Sequence, residues 1–215
     1  MSMLRKKSMI KGLAPTKTVA VFANLALALI AIPLAAQDNA NPLVIVRERN
    51  EAVKQMLDAA GDPVSDETRE ELKGAINSLI DFGELSERAL RKHWEPLTPE
   101  QQADFVDVFR ELVRNSSVQK LGIYRADSIS YEASETDGDE TRVVTVAHKD
   151  KNQVEIVYHM HMTEAGWKAF DFVIDGSSTL RTYQDSFQRE IAATSYGAMY
   201  GRLVDKLEEQ RTTGG

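Results

Sequence analysis

The chain has no cysteine among its 215 residues. That excludes disulfides, thiol nucleophiles and thiolate metal sites. It also excludes a bacterial lipoprotein anchor, which needs a cysteine after the apolar leader. Several catalytic signatures are missing as well: there is no glycine-rich phosphate loop, no Gly-x-Ser-x-Gly and no HExxH. Only one long apolar run is present, near the N-terminus, and no second segment is apolar enough to span a membrane. Positive charge is scarce beyond that run. Residues 1–36 hold five of the 26 Lys and Arg residues and none of the 33 Asp and Glu residues, which leaves 21 against 33 and a net charge of −12. A surface of that sign repels phosphate backbones, so nucleic acid is excluded as a partner.

The N-terminal stretch is built differently from the rest. Arg5, Lys6, Lys7, Lys11 and Lys17 precede VAVFANLALALIAIPLAA at residues 19–36. A basic segment, an apolar segment and small residues in that order make a secretory signal peptide, with cleavage expected near Ala36–Gln37. An uncleaved anchor is the alternative, although the run is short for a spanning helix. The expected organisation is a signal peptide at 1–36 and a single domain at 37–215. With no disulfide to staple it, that domain must stand on its apolar core.

Helical periodicity comes first along the chain. A weakly amphipathic helix is predicted over 43–58, ended by Gly61, Asp62 and Pro63. A second begins after Ser65, with Leu72, Ile76, Leu79 and Ile80 as its apolar stripe. A short helix lies in DFGELSERALRKHW. In LTPEQQADFVDVFRELV, Thr98 and Gln101 form a capping box, Pro99 takes the first helical position, and Phe105, Phe109, Leu112 and Val113 repeat at helical spacing to about Leu121.

The period then changes from 3.6 to 2. Strands are predicted near 127–133, 142–149, 153–162 and 167–175, joined by short turns that include Asp137-Gly138. Short turns between successive strands give an antiparallel meander. A helical tail follows Gly176, Ser177 and Ser178. Helices, then a four-stranded sheet, then helices is an α+β pattern.

The third strand, QVEIVYHMHM, raises the sharpest question about function. Alternation places Val154, Ile156, Tyr158, Met160 and Met162 on one face and Gln153, Glu155, Val157, His159 and His161 on the other. The histidine pair, with His148 or Glu155, is a candidate metal site; a partly solvated sheet face is the plainer reading, since no third ligand is fixed. The methionine face is open to two readings, solid core or the wall of a cavity for a flexible apolar ligand. Asp171 and Asp175 share a strand face and could do acid–base work, or they bond nearby backbone or Arg181. The acidic hairpin at 135–140 lacks the spacing of a calcium loop.

The order of motifs carries a further signal: DFxxLSxxAL (Asp81, Phe82, Leu85, Ser86, Ala89, Leu90), Trp94, TPEQQxxFxxxFxxLV, a meander ending in GWKAFDFVIDGSS, and a helix with Tyr183 and Phe187. This order resembles the toluene-tolerance family, over about residues 43–208. The family includes the periplasmic phospholipid carrier of the maintenance-of-lipid-asymmetry ABC transport system. The resemblance implies a nuclear-transport-factor-2-like cup whose apolar pocket takes the acyl chains of a glycerophospholipid, with the head group outside. It implies a periplasmic shuttle between an outer-membrane lipoprotein–porin complex and an inner-membrane ABC transporter bearing an MCE-type substrate-binding subunit, with no cofactor, no metal and no catalytic residue. The expected lipid-binding residues are Phe105, Phe109, Leu112, Val154, Ile156, Tyr158, Met160, Phe170 and Phe172. One departure from the family pattern is Gln184, where a basic residue is common. The competing functions are a small secreted enzyme on the same cup and an adaptor with a filled core.

Overall fold

The computed structural model describes residues 41–60, 63–117 and 122–213. The signal peptide and its cleavage site, the breaker at Gly61 and Asp62, and the expected continuation of the long helix to Leu121 lie outside the described residues. Those described fall within one compact unit, Gln37–Gly215.

Local sequence sets the helix starts. α1 spans Pro42–Ala60 and α2 spans Asp66–Asn77, whose N-cap Ser65 accepts from the Thr68 amide. α3 spans Phe82–Leu90 and is capped by Asp81, which accepts from the Glu84 amide at 3.0 Å. α4 spans Pro99–Ser117 and opens with the reciprocal box, Gln101 N to Thr98 Oγ1 at 3.2 Å and Thr98 N to Gln101 Oε1 at 3.0 Å. Such caps satisfy amides that the first helical turn leaves without partners.

The sheet follows as an antiparallel run, β1 Ser128–Asp137, β2 Glu140–Lys149, β3 Asn152–Thr163 and β4 Gly166–Ile174. It has five strands, not the expected four. A tight turn at Asp175 and Gly176, both at positive φ, folds Ser177–Ser178 back on β4 as the two-residue β5. A strand that short has no readable alternation. α5 (Thr179–Ala193) and α6 (Tyr196–Thr213) close the chain.

Two features of β4 matter below. Its register against β3 slips once: His159 pairs with Asp171, but Met160 pairs with Ala169, so Phe170 is an extra residue in a β-bulge. Its outer edge is covered in two places, by β5 at Val173 and Ile174 and by the 79–81 segment, which bridges Ile80 to Ala169. At the opposite edge, β1 also carries a bulge, between Tyr131 and Ser134.

The core has three parts. α3, α4, α5 and α6 bury Leu85, Leu90, Phe105, Phe109, Phe187 and Met199 among themselves. α1 lies on one sheet face, where Val46 meets Val143, Ile156, Tyr158, Met160 and Trp167. Val53, Leu57 and Leu72 join α1 to α2. In the first cluster, Phe109 lies 5.3 Å from Phe187 and 4.7 Å from Tyr183, both edge-on. Such pairs add about 0.5–1.5 kcal/mol each beyond area burial. Among the described residues no helix is long and apolar enough to cross a membrane.

Candidate functional site

The methionine-bearing face of β3 points inward under α1. Ile156, Tyr158 and Met160 are buried there, with Val154 and Met162 partly so. Between this face and the helices lies a cavity of about 90 Å³. Ile156, Tyr158, Phe172 and Ile174 form its sheet wall, and Ile76, Leu79, Val113 and Ile123 the facing wall. A more open recess of about 440 Å³ adjoins it, sharing Ile123 and Ile174 and continuing along Ala147 and Val154. The two together form an apolar path along β3.

The remaining residues expected at the site fall elsewhere. Phe105, Phe109 and Leu112 sit in the core of α3–α6; α4 reaches the cavity through Val113, Ser116 and Ser117 at its end. Met160 is fully buried without lining the cavity. Phe170 parts from Phe172. The bulge reverses the alternation of β4, so Phe172, Ala169 and Trp167 share the cavity side while Phe170 joins His159 and His161 on the other. There the Arg88 guanidinium lies 3.8 Å above its ring, held by Glu84 at 2.6 Å and Glu140 at 2.7 Å. Gln184 reaches the same helix and donates to the Arg88 carbonyl at 2.9 Å.

The titratable groups raised by the sequence have structural partners. His161 Nε2 lies 3.1 Å from Asp81 Oδ2, and His148 Nε2 lies 3.1 Å from Ser130 Oγ. Among the described residues no three His, Asp or Glu side chains gather as a metal-binding group. Asp171, 6% exposed, accepts from Ser178 Oγ at 2.6 Å and from the Leu180 amide at 2.8 Å, which fixes the start of α5. Asp175 accepts from the Glu155 amide at 3.1 Å. Both carboxylates bond turn and backbone groups.

The cavity also has a polar lining that the sequence reading missed. Arg49, Asn50, Asn77, Ser116, Ser117 and Tyr124 border it. The Tyr158 hydroxyl donates to Asn50 Oδ1 at 3.3 Å. Burial pushes the Tyr158 phenol up to about 12 and raises that of Tyr124 further. Arg49 is half-buried, and its guanidinium donates to the Ala75 carbonyl at the end of α2. Desolvation lowers its pKa. A signal for Asn50 was present: it falls on the stripe Val46, Asn50, Val53, Leu57, where a polar residue interrupts an apolar face.

Comparison with known proteins places this architecture. The MlaC protein family matches residues 49–209. The chain belongs to the MlaC family. MlaC-family membership covers both walls of the cavity and every helix from within α1 to within α6. Among solved structures, one similar chain is the phospholipid-binding protein of Ralstonia solanacearum in complex with a phospholipid. It shares 22% sequence identity at a TM-score of 0.66, over 79% of this chain and 97% of that one. At that identity the likeness establishes a shared fold. No curated protein matches the sequence.

Proposed function

We propose that this MlaC-family chain is a periplasmic phospholipid carrier that moves glycerophospholipid between an outer-membrane complex and an inner-membrane ABC transporter. The observation that carries the reading is the apolar path along the methionine face of β3, from the cavity past Ile123 and Ile174 into the open recess. The Ralstonia structure, whose protein holds a phospholipid, supports it. Apolar walls suffice for such a ligand. An acyl chain of about 15 methylenes gains roughly 12 kcal/mol on leaving water, at ~0.8 each.

Carriage implies movement. Ligand pockets commonly run from about 300 to 1,000 Å³, and the inner cavity measures about 90 Å³. On this reading loading widens the inner cavity and extends the acyl chains into the adjoining recess of about 440 Å³. The reading assigns no catalysis: Asp171, the carboxylate an enzyme would use, is engaged at the start of α5.

Native mass spectrometry of protein exported to and purified from a bacterial periplasm tests the reading. The expected result is a co-purifying mass in the phospholipid range that transfers to acceptor vesicles. Protein free of lipid that also extracts none from vesicles would overturn it.

A further inference from the structure

Among the described residues other than glycine, Arg91, Asp150 and Asp175 hold a positive φ. For the two aspartates this is ordinary turn chemistry, since a short polar side chain tolerates the left-handed region. Arg91 is different. It joins α3 to the 3-10 turn Arg91–His93 with φ 52° and ψ −127°, a geometry that suits glycine and strains a residue bearing a Cβ. Its backbone is held on both sides: the amide donates to the Glu87 carbonyl, and the carbonyl accepts from the Trp94 amide at 3.0 Å. Its side chain is exposed and pairs with no carboxylate among the described residues. The arginine therefore strains the fold while its guanidinium contributes no ion pair inside it.

The charges around it are also unusual for so acidic a chain. Helical cations here mostly meet a carboxylate one turn away, as Arg69 meets Asp66, Lys73 Glu70, Arg110 Asp107 and Arg114 Glu111. At the junction of α3 and α5 they do not. Gln184 donates to the Arg88 carbonyl at 2.9 Å and Gln188 to the Leu90 carbonyl at 3.0 Å. Those bonds bring Arg91 and Lys92 beside α5, which carries Arg181 and Arg189 about two turns apart. All four cations are exposed, and among the described residues none pairs with a carboxylate. The α3 dipole favours cations at its C-terminus. That explains Arg91 and Lys92 as charges, but not the backbone of Arg91. Nor does it explain Arg181, which lies in the first turn of α5, where the dipole disfavours a cation.

We infer that this junction is a docking surface for a protein partner that sets carboxylates opposite Arg91, Lys92 and Arg189. The inference rests on the carrier reading, under which the chain meets a protein complex at each end of its route. A planar guanidinium suits the fork of a carboxylate. Acids are interspersed with the cations, Asp185 between Arg181 and Arg189 and Glu87 one turn before Arg91. Such a pattern fits a protein, which can match both signs. An anionic bilayer presents one sign and repels the excess of acids in the rest of the chain. None of the four cations lines the cavity or the recess, so docking and loading can be measured apart.

The test measures binding to the two purified transport complexes of the same bacterium, the outer-membrane lipoprotein–porin complex and the inner-membrane transporter with its MCE-type subunit, at low and high salt. The wild type is expected to bind at least one of them, more weakly at high salt. Arg91→Gly should raise that dissociation constant about tenfold. Its lipid retained per molecule should not change, and its melting temperature should rise by about 2–4 °C as the strain is relieved. A merely structural arginine would not give that combination. Arg91→Lys should fall between. Lys92→Gln combined with Arg189→Gln leaves the strained position alone; it should weaken binding several-fold, and it decides if Arg91→Gly does not fold. An Arg91→Gly or double variant that docks like wild type, or a wild type that holds lipid and docks on neither complex, overturns the docking surface and leaves the carrier reading standing. Binding to phosphatidylglycerol vesicles that Arg91→Gly abolishes assigns the cluster to a membrane and also overturns it. A wild type that holds no lipid and docks on neither complex removes both readings.

Discussion

The Tyr158 hydroxyl on β3 donates to Asn50 Oδ1 on α1 at 3.3 Å, with both side chains almost fully buried. This bond spans the space between sheet and helix beside the cavity and ties α1 to β3. Tyr158→Phe is expected to lose about 1 kcal/mol and, at this chain size, to melt about 2–4 °C lower. Burial of the phenol also leaves an alkaline signature, which the bond to Asn50 works against. The folded phenol titrates near 12, against about 10 in the unfolded chain. The folded state keeps its proton longer, so this contribution is present below pH ~10 and is lost as pH rises through ~12. Denaturant midpoints measured from pH ~9 to ~12 should fall less steeply in Tyr158→Phe than in wild type. An unchanged slope would assign the alkaline transition to other groups, Tyr196 among them, which also titrates near 12.

Ile156 is 5% exposed and forms part of the cavity wall. A larger side chain in solid core overpacks it and costs about 1–3 kcal/mol, whereas one beside a cavity fills empty space. Ile156→Trp is expected to fold, to melt no lower than lipid-free wild type, and to carry no phospholipid. A variant that melts several degrees lower and still carries lipid would place the lipid path elsewhere.

Asp171 anchors the first turn of α5 through the Leu180 amide. Asp171→Ala should cost about 1–2 kcal/mol, as loss of a helix cap does, and Asp171→Asn should recover part of it. Lipid retained per folded molecule should not change in either. Wild-type stability with lost lipid handling would make Asp171 a functional carboxylate.

His159 and His161 lie on the sheet face away from the cavity, beside Phe170. Changing both to Gln should leave lipid retention intact and cost about 1 kcal/mol or less, from the His161–Asp81 contact. Elemental analysis provides the sharper check. Stoichiometric zinc or copper in wild type, absent from the double variant, would contradict this placement.

What the sequence revealed depended on the range of each signal. The Thr98–Gln101 box opens α4 as read, because capping involves only four consecutive residues. The inward face of β3 was legible because its alternation is unbroken from Val154 to Met162. β4 was not: Trp167 and Phe172 are five apart, which simple alternation puts on opposite faces, but the extra residue at Phe170 reverses the pattern midway and brings them together. The Phe105–Phe109 stripe was legible as a buried helix face, but periodicity does not name the partner across from it. That partner is Phe187 and Tyr183, not the sheet. Arg49 and Asn77 carry no local pattern at all; they border the cavity where the end of α2 meets α1 and α4.

The sheet's borders have a consequence under the carrier reading, in which helices part from the sheet to admit lipid. When helices part from a sheet, its outer strands become templates on which another copy can polymerise. Here β4 offers no free run of backbone, since Ser177–Ser178 pair with its end and Ile80 bridges to Ala169. β1, the other border, is interrupted after Tyr131 and ends in Glu135, Thr136 and Asp137, so two such borders would meet acid to acid. On the carrier reading, the molecule opens to its cargo without recruiting its own kind.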